Sequence, residues 1–600
     1  MPVPREVTQA ILDRLSAATL RHLPGQSYTV GDRLEERAAA HPDKAFVRFE
    51  DRVVDYGAAN VYANRVAHAA RALGLRRGDV AALVMENRPE FLGTWMGLAK
   101  LGVTVALLNT HARGRAFEHA LETAEPRLVV IGSECLGALE TLDATAQRCF
   151  PFYVTSDSDA AVPRSAAIGD WDALLARADT ENPDREVRAG LRAGLRAGDD
   201  LFFIYTSGTT GLPKAARLSH MRWLGVGDGM SAVAGYGPDD VIGCVLPLYH
   251  GAGGMVVISS ALAQGATVWL ARRFSASRFW DDVRRYGVTG FQYVGEICRY
   301  LVNQPERPGE REHRVRVMMG AGMGRDVWEE FARRFGVARI LEGWSSTEAN
   351  TSLMNVDNHV GSCGRIPFPE RHNGRLVRYD LERDEHPRDA NGCCILCAPG
   401  EVGEFLGAIP DLPNSGAGRF EGYTDAAATE RKILRDVFQK GDRWYRSGDL
   451  LRCDEDGYFY FVDRIGDTYR WKSENVSTQE VAEALGGFPG LEIANVYGVR
   501  VPGAEGRAGM AALVLRDRDA FDGAAFFTWV EAKLAAYAAP LFVRLVAEPD
   551  VTSTFKLRKV DLQREGYDPA MVRDPLFMRD PAARAYVQLD AASLARHQIG

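Results

Sequence analysis

The chain has 600 residues, 46% of them hydrophobic and 25% charged, with a formal net charge of −8. This length exceeds one ordinary domain, and the apolar content is sufficient for a large buried core. The weak negative charge excludes the basic surface that nucleic-acid binding requires. The nine cysteines are scattered along the chain, which is typical of a reduced cytoplasmic protein rather than of a disulfide framework.

The N-terminal segment 1–20 places Arg5, Asp13 and Arg14 among apolar residues. Such charges exclude a signal-peptide core and predict a short amphipathic helix. The apolar stretch 254–271 is interrupted by two serines and a glutamine, so it predicts a buried segment of strand and helix rather than a membrane span. We therefore expect a soluble, cytoplasmic protein without a membrane span, for which peripheral membrane contact stays open.

Strand and helix patterns alternate through the first part of the chain. Residues 80–85 predict a buried strand, 89–101 a helix and 103–108 a second strand, and this βαβ rhythm is typical of a parallel α/β layer. A polar section, 156–200, contains the short repeat 188–198, which predicts a linker.

The alternation continues through 239–270 and 291–301, until charge and glycine interrupt it near Asp463. We predict an α/β fold in which a large domain of layered α/β subdomains precedes a small, mobile α+β domain. The predicted domains are 1–463 and 464–600, with a hinge near 464–467.

A glycine-rich loop follows the apolar strand pattern 201–204, and residues 205–214 read Tyr-Thr-Ser-Gly-Thr-Thr-Gly-Leu-Pro-Lys. Small residues let backbone N–H groups close on anionic oxygens, and Lys214 adds a positive charge. The order is not the Walker pattern. It resembles the signature of adenylate-forming enzymes, which include acyl-CoA synthetases, peptide-synthetase adenylation domains and luciferases; a plain surface loop is the alternative. The predicted nucleotide-binding residues here are Thr206, Ser207, Gly208, Thr209, Thr210, Gly211 and Lys214.

Residues 343–350, Gly-Trp-Ser-Ser-Thr-Glu-Ala-Asn, resemble the aromatic-x-x-Thr-Glu motif of that family. The resemblance implies that Thr347 contacts the α-phosphate and that Glu348 holds Mg²⁺, with Thr209 as a second candidate ligand. A carboxylate suits a Mg²⁺ ion that bridges phosphates, and Trp344 is expected beside adenine. Alone, a Thr-Glu pair more often starts a helix. The same site is expected to include Gly320, Ala321, Gly322, Ser345 and Ser346.

Residues 445–450, Tyr-Arg-Ser-Gly-Asp-Leu, resemble the motif in which an aspartate, here Asp449, accepts hydrogen bonds from both ribose hydroxyls. Ser-Gly-Asp is also ordinary turn chemistry. The segment 463–467 is similar to one in which an arginine, here Arg464, contacts the nucleotide. Gly466 suits a hinge that must change its backbone dihedrals between two domain orientations.

Residues 552–559, Thr-Ser-Thr-Phe-Lys-Leu-Arg-Lys, resemble the C-terminal catalytic-lysine motif. This implies that Lys556 brings an ammonium to the charge that builds at the α-phosphorus as a carboxylate displaces pyrophosphate. Without that context a lysine in a basic stretch is usually solvated. His250 stands at a position that gates the acyl pocket in the family, and a hydrogen-bonded turn histidine is the alternative.

Four further segments look like the fatty acid transport protein branch of very-long-chain acyl-CoA synthetases, and the match extends over residues 28–588. That branch uses ATP and Mg²⁺ to activate a fatty acid as acyl-AMP. It then rotates its small domain and transfers the acyl group to coenzyme A. The resemblance therefore implies a small-molecule acid and CoA as co-substrates. The segments are 86–91, 106–109, 247–250 and 470–478.

Departures from the family cluster where the second half-reaction would occur. Ser473 replaces a glycine in the loop expected to line the pantetheine tunnel, and the patterns at 320–323 and 344–350 are altered. Because pockets repack readily, retained CoA ligation is the first interpretation. The alternatives are a non-CoA acceptor, as in an amide ligase or an ATP-dependent diazotase that activates nitrite and acts on an aryl amine, and a non-catalytic lipid-binding module. The predicted hinge and tunnel residues are Gly466, Lys472, Ser473, Glu474 and Asn475.

A Cys-x-x-Cys pattern at Cys394 and Cys397, next to Cys393, has no second pair at zinc spacing, and His386 is a lone neighbour. We therefore predict packing rather than a metal site for these cysteines.

Overall fold

The structure is a computed structural model that describes residues 3–157, 168–183, 194–206, 212–472, 474–502, 504, 506–552 and 555–589. The strands are β1 Ala45–Phe49, β2 Arg52–Asp55, β3 Val80–Val84, β4 Thr104–Leu107, β5 Leu128–Gly132, β6 Phe152–Thr155, β7 Ile168–Asp170, β8 Asp200–Thr206, β9 Lys214–Ser219, β10 Val241–Cys244, β11 Thr267–Leu270, β12 Gly290–Val294, β13 Val317–Ala321, β14 Ile340–Trp344, β15 Leu353–Asn355, β16 Gly364–Arg365, β17 Gly374–Arg378, β18 Val402–Ala408, β19 Ile433–Arg435, β20 Arg443–Cys453, β21 Tyr458–Arg464, β22 Tyr469–Trp471, β23 Glu474–Val476, β24 Leu491–Val499, β25 Ala508–Leu515, β26 Phe542–Leu545, β27 Leu576–Asp580 and β28 Ala585–Gln588.

The helices are α1 Arg5–Thr19, α2 Val30–Ala40, α3 Tyr56–Ala72, α4 Pro89–Lys100, α5 Gly114–Ala124, α6 Ala144–Cys149, α7 Trp171–Arg177, α8 His220–Ala234, α9 Ile258–Gln264, α10 Phe279–Tyr286, α11 Gly295–Val302, α12 Arg325–Phe335, α13 Ala426–Glu430, α14 Thr478–Leu485, α15 Gly523–Lys533 and α16 Val560–Glu565. A π-helix, Gly251–Val257, runs directly into α9.

Two largely parallel sheets make up the first part of the chain. One has the order β7-β6-β5-β3-β4-β8-β9 and the other β15-β14-β13-β12-β10-β11-β1-β2. Within the described ranges, β9, β2 and β15 are the strands of these sheets that pair antiparallel to their neighbours. The predicted βαβ unit is confirmed as β3, α4 and β4. Ligands of such sheets bind outside the carboxyl ends of the strands, and β8, β13 and β14 all end in predicted site residues.

A third, antiparallel sheet has the order β16-β21-β20-β18-β17, with β19 paired to β20. It ends at Arg464, the last residue of β21. The chain then forms the β22–β23 hairpin and a five-stranded sheet, β24-β25-β26-β27-β28, which is accompanied by α14, α15 and α16. The fold class is therefore confirmed as α/β with a smaller α+β unit at the C-terminal end, and the domain boundary at 463/464 stays a prediction.

Two sequence-based expectations need correction. The section 156–200 is more than a linker, because β7 extends the first sheet beside β6 and α7 buries Trp171. Asp170 starts that helix by accepting the N–H of Ala173, a capping interaction that the polar composition concealed. Residues 188–193 of the repeat lie outside the described residues. In the apolar stretch 254–271, helix precedes strand, since the π-helix and α9 lead into β11.

The predicted N-terminal amphipathic helix is confirmed as α1, which packs lengthwise on α8. Gly225 and Gly229 of α8 face Thr19, and a Cβ atom at either position would collide with it. Within the described ranges, no helix combines the length and hydropathy that crossing a bilayer requires.

Candidate functional site

The strand that leads into the glycine-rich loop is β8, and Lys214 opens the antiparallel β9 beside it. Thr206 and Lys214 are direct partners across the two strands, and the Thr206 hydroxyl lies 3.5 Å from the Lys214 carbonyl oxygen. The two ends of the predicted phosphate loop are thus fixed by strand pairing. The loop residues between them, Ser207, Gly208, Thr209, Thr210 and Gly211, lie outside the described residues.

Glu348 follows β14 and is buried, with 7% of its surface exposed. The hydroxyl of Tyr423 donates to its Oε1 at 2.8 Å, and the hydroxyl of Tyr445 approaches the same oxygen at 3.5 Å. Ser346 lies 2.9 Å from the Tyr445 hydroxyl. Among the described residues these bonds converge on Oε1 and hold the carboxylate in place, while its role as a Mg²⁺ ligand stays a prediction.

Tyr423 comes from a segment that pairs with the edge of β9. It forms an antiparallel bridge with Ala216, and the N–H of Thr424 donates to Ala215 at 3.0 Å. This pairing places the Tyr423 hydroxyl between the phosphate-loop strands and Glu348. Burial and the nearby Glu348 charge raise the pKa of Tyr423, so this hydroxyl remains a donor to the carboxylate.

Asp449 lies at the paired edge of β20 and β21, opposite Arg464. Its Oδ2 accepts the indole N–H of Trp344 at 2.8 Å, and the Nε of Arg464 is 3.8 Å from its Oδ1. Burial raises the pKa of Asp449, and the charge of Arg464 opposes that shift. Trp344 thus orients the carboxylate that is predicted to bind ribose, while its packing beside adenine stays a prediction.

The part of β20 just before Asp449 is held by a buried glutamate, Glu404. Its carboxylate accepts the N–H of Gly448 at 2.9 Å, bonds to Arg446 at 3.1 Å and contacts His386 at 2.8 Å. Gly448 has φ +78°, a conformation that favours glycine. The Ser-Gly-Asp sequence therefore lies within β20 rather than in a turn, and its glycine is bonded to the glutamate that supports the predicted ribose ligand.

Gly320, Ala321 and Gly322 lie at the end of β13. A second buried carboxylate, Glu342 of β14, supports this strand end by accepting the N–H groups of Gly322 and Met323 and the hydroxyl of Tyr293. Burial raises the pKa of Glu342 to about 7. These hydrogen bonds fix the strand end that the sequence assigns to the nucleotide pocket.

His250 precedes the π-helix, whose first residue, Gly251, lies next to Thr347. A Cβ atom at Gly254 would collide with the carbonyl of Leu248, so glycine is required for this tight packing. Burial, reinforced by the positive charge of Lys556, lowers the pKa of His250 to about 4. The imidazole is therefore neutral at physiological pH. Its predicted gating role stays a prediction.

Lys556 approaches the site from the C-terminal part of the chain. The residue remains exposed, whereas its ammonium group loses part of its hydration. This loss of hydration lowers the pKa of Lys556, as does Arg464, while Asp449 and Glu348 raise it. The structure thus brings Lys556 together with both predicted carboxylates, although they are more than 100 residues away in sequence.

The described tunnel residues lie on the β22–β23 hairpin and its turn. Lys472 turns between β22 and β23 with φ +51°, Glu474 and Asn475 form β23, and Ser473 lies outside the described residues. Arg470 of this hairpin forms an ion pair with Glu382, and Asn475 lines a cavity of about 580 Å³ together with residues of 378–402. Gly466 lies in the exposed turn between β21 and β22.

Sequence reasoning missed Tyr423, Tyr445, Glu342 and Glu404 as supports of the site. A local signal exists only for Tyr445, which stands four residues before Asp449 on the same strand. The expected packing role of two cysteines is confirmed: Cys394 is buried beside Val377 and Trp444, and Cys397 packs against the cluster that contains Trp344.

Glu348 after β14, Asp449 at the paired edge of β20 and β21, and Lys556 from the C-terminal part of the chain lie near enough to one another for both carboxylates to raise the pKa of the lysine. This arrangement is the one expected of an AMP-forming ligase. The family comparison agrees: the chain belongs to the AMP-binding enzyme family, whose model matches residues 34–389.

Relatives match over nearly the whole chain. Long-chain fatty acid transport protein 6 of Mus musculus is 40% identical over 94% of this chain and 90% of its own length. Long-chain fatty acid transport protein 1 of Homo sapiens is 43% identical over 90% and 82%. Among solved structures, an anthranilate CoA ligase in complex with anthranoyl-AMP has a TM-score of 0.73 at 21% identity, over 90% of this chain and 97% of that one. A benzoate CoA ligase from Burkholderia xenovorans LB400 has a TM-score of 0.71 at 21% identity, over 89% and 100%.

Proposed function

We propose that this enzyme activates a long-chain fatty acid with ATP as acyl-AMP and transfers the acyl group to coenzyme A. The observation that carries the proposal is that Lys556 lies near enough to Glu348 and Asp449 for their charges to raise its pKa. An ammonium at this point faces the place where negative charge develops during adenylation. The names of the relatives, which are long-chain fatty acid transport proteins, support a fatty acid as the substrate.

In the proposed first step, the phosphates of ATP lie between Thr206, Lys214 and Thr347, and Asp449 and Arg464 hold the ribose. The carboxylate of the acid attacks the α-phosphorus and pyrophosphate leaves. Lys556 stabilises the charge on the transferring group. The buried surroundings of the cleft strengthen this interaction, because charges interact more strongly where water is excluded.

A Mg²⁺ ion fits the residues present. Glu348 offers a fixed carboxylate oxygen, and Mg²⁺ in such sites is held by one or two carboxylates together with substrate phosphates. When bound, the ion would neutralise phosphate charge. The Tyr423 hydroxyl keeps the Glu348 carboxylate in place.

For the second step we propose that the part of the chain after Arg464 turns about Gly466, so that Lys556 leaves the site and the 472–475 hairpin approaches it. In the conformation observed, Arg470 of the hairpin forms an ion pair with Glu382. Each orientation of the C-terminal part would place either Lys556 or the hairpin at the site, but not both. This alternation would keep water away from the reactive mixed anhydride.

A second candidate is adenylation with a non-CoA acceptor, as in an amide ligase or a nitrite-dependent diazotase. It is motivated by Ser473, which stands where related sequences place glycine in the tunnel loop. Both candidates share the first step and differ in what the activated group meets.

The test is product analysis by mass spectrometry with ATP and Mg²⁺. One arm offers long-chain fatty acids and aryl acids with CoA, and another offers nitrite with aryl amines. Acyl-CoA formed from long-chain fatty acids supports the proposal. AMP release without a thioester, together with an amide or diazo product, overturns the assignment of CoA as the acceptor.

A further inference from the structure

The residue before Lys556 has an unusual backbone. Within the described residues eight non-glycine residues have positive φ, and Phe555, at φ +59°, is the one aromatic residue among them. The left-handed region favours glycine, and a bulky side chain persists there only where its surroundings hold it. A specific contact of the Phe555 ring must therefore compensate for the energetic cost of this backbone conformation.

That contact is an aromatic slot on the first part of the chain, formed by Phe274 and Tyr300. The Phe555 ring meets Phe274 edge-on at 5.6 Å and 79°, and Tyr300 at 6.1 Å and 72°. Both values lie in the favourable range for edge-to-face aromatic pairs. Phe274 and Phe555 also pack on the buried core beneath the second sheet.

The ring is coupled to Lys556 by a tight turn. The N–H of Phe555 donates to the Thr552 carbonyl at 2.8 Å, and the N–H of Thr552 donates to the Lys556 carbonyl at 2.7 Å. The Thr552 hydroxyl accepts the N–H of Lys556 at 3.0 Å. Because the turn closes on itself, fixing the ring fixes the point from which the lysine side chain extends.

We infer that Phe555 is the positioning residue that docks the Lys556 loop, and that the slot of Phe274 and Tyr300 is its receptor on the first part of the chain. Lys556 reaches the site when the ring is seated. The ring leaves the slot when the C-terminal part turns. This inference rests on the proposed adenylation.

The test begins with Phe555→Gly, which removes the ring while keeping a residue that favours the left-handed backbone. We expect the rate of ATP–pyrophosphate exchange to fall roughly 10- to 100-fold, as displacement of a catalytic group by about 1 Å does. The KM for ATP and the melting temperature stay close to wild type, because the nucleotide ligands and the core are unchanged. Phe555→Tyr, which keeps the ring, retains most of the activity.

A matched change in the slot completes the experiment. Phe274→Ala is expected to lower exchange by a similar factor, and Phe555→Gly combined with Phe274→Ala to be no slower than either single variant, since both remove one interaction. Exchange at the wild-type rate in Phe555→Gly, or losses that simply multiply, would overturn the inference.

Hydrogen exchange separates this inference from the proposed function. The N–H groups of Phe555, Lys556 and Arg558 are bonded within the turn and its neighbourhood. Phe274→Ala should speed their deuterium uptake, whether or not the wild-type enzyme catalyses pyrophosphate exchange. Unchanged uptake counts against docking, whereas a wild-type enzyme that shows this protection but no exchange counts against adenylation alone.

Discussion

The two halves of the candidate site are built by different means. On the first part of the chain, strand pairing and buried hydrogen bonds fix Glu348 and Asp449. The lysine that faces them sits on a short loop seated by a single aromatic ring, Phe555. In the proposed mechanism the binding groups are therefore permanent, whereas the charge needed for one step is delivered through a contact that can be released.

The boundary between the halves carries its own polar contact. Asp463 is buried and accepts both the N–H of Thr478, at 2.7 Å, and its hydroxyl, at 3.0 Å. Lys559 reaches that same hydroxyl and also pairs with Asp467. The turn that contains Gly466 is thus bracketed by bonds that a reorientation would have to rearrange.

The largest expected effect on the exchange rate comes from removing the lysine that the C-terminal part brings to the site. Lys556→Ala should lower pyrophosphate exchange by roughly 10²–10³-fold, the loss typical of a removed electrostatic stabiliser. The affinity for ATP, measured by calorimetry, should stay within a few-fold, because the permanent half is intact. Lys533→Ala, at an exposed lysine of the same C-terminal part, is the matched control. Wild-type exchange in Lys556→Ala would remove the lysine from the mechanism.

Next comes the carboxylate of the permanent half. Glu348→Gln should lower exchange by roughly 100-fold and raise the Mg²⁺ concentration required, since a neutral amide is a poor Mg²⁺ ligand. Tyr423→Phe should cost only roughly 10-fold, because it removes one hydrogen bond to that carboxylate. The exchange rates of the two variants are compared in magnesium titrations. An equal loss of exchange rate in Glu348→Gln and Tyr423→Phe would contradict the assigned roles.

A smaller effect is expected where one indole orients one carboxylate. Trp344→Phe removes the N–H that Asp449 accepts, and the KM for ATP should rise roughly 10-fold, with weaker discrimination against 2′-deoxy-ATP. The control is Trp444→Phe, which removes a similar indole bond to Asp442 at 3.0 Å. Unaltered discrimination in Trp344→Phe would separate Asp449 from ribose binding.

The smallest effect concerns pH. Burial lowers the pKa of Lys556 below its ordinary 10.5, and adenylation needs the protonated amine. As the pH rises, the exchange rate should therefore fall when Lys556 loses its proton. This fall should come at a lower pH than for a lysine with the ordinary pKa. In a Lys556→Arg variant with measurable exchange, the plateau of the pH–rate profile should extend to higher pH, because arginine stays protonated. The pKa of His250 is lowered to about 4, so this histidine should add no rise or fall to the pH–rate profile near neutral pH.

Much of the fold could be predicted because its signals are local. The β3–α4–β4 unit follows from periodicity within about 30 residues, and the strand before the phosphate loop follows from its apolar run. The supports of the site could not be predicted in this way. Tyr423 meets Glu348 across 75 residues, through the pairing of an irregular segment with β9, and no pattern near Tyr423 indicates that pairing.

The same reason explains Phe555. The resemblance of the lysine motif points to Lys556. The role inferred for the preceding ring depends on Phe274, in the irregular segment after β11, and on Tyr300 of α11. The polar composition around β7 and α7 is typical of a linker, because polar residues there serve as helix caps and surface, while Trp171 and Leu175 of α7 are buried.

The most direct test of the central claim is a single-turnover experiment. Enzyme, ATP, Mg²⁺ and a long-chain fatty acid are mixed without CoA, quenched and analysed by mass spectrometry, and CoA is then added to a parallel sample. We predict that acyl-AMP accumulates to about one equivalent per active site and is converted to acyl-CoA when CoA arrives. Absence of acyl-AMP, or an acyl-AMP that CoA does not consume, would contradict the claim.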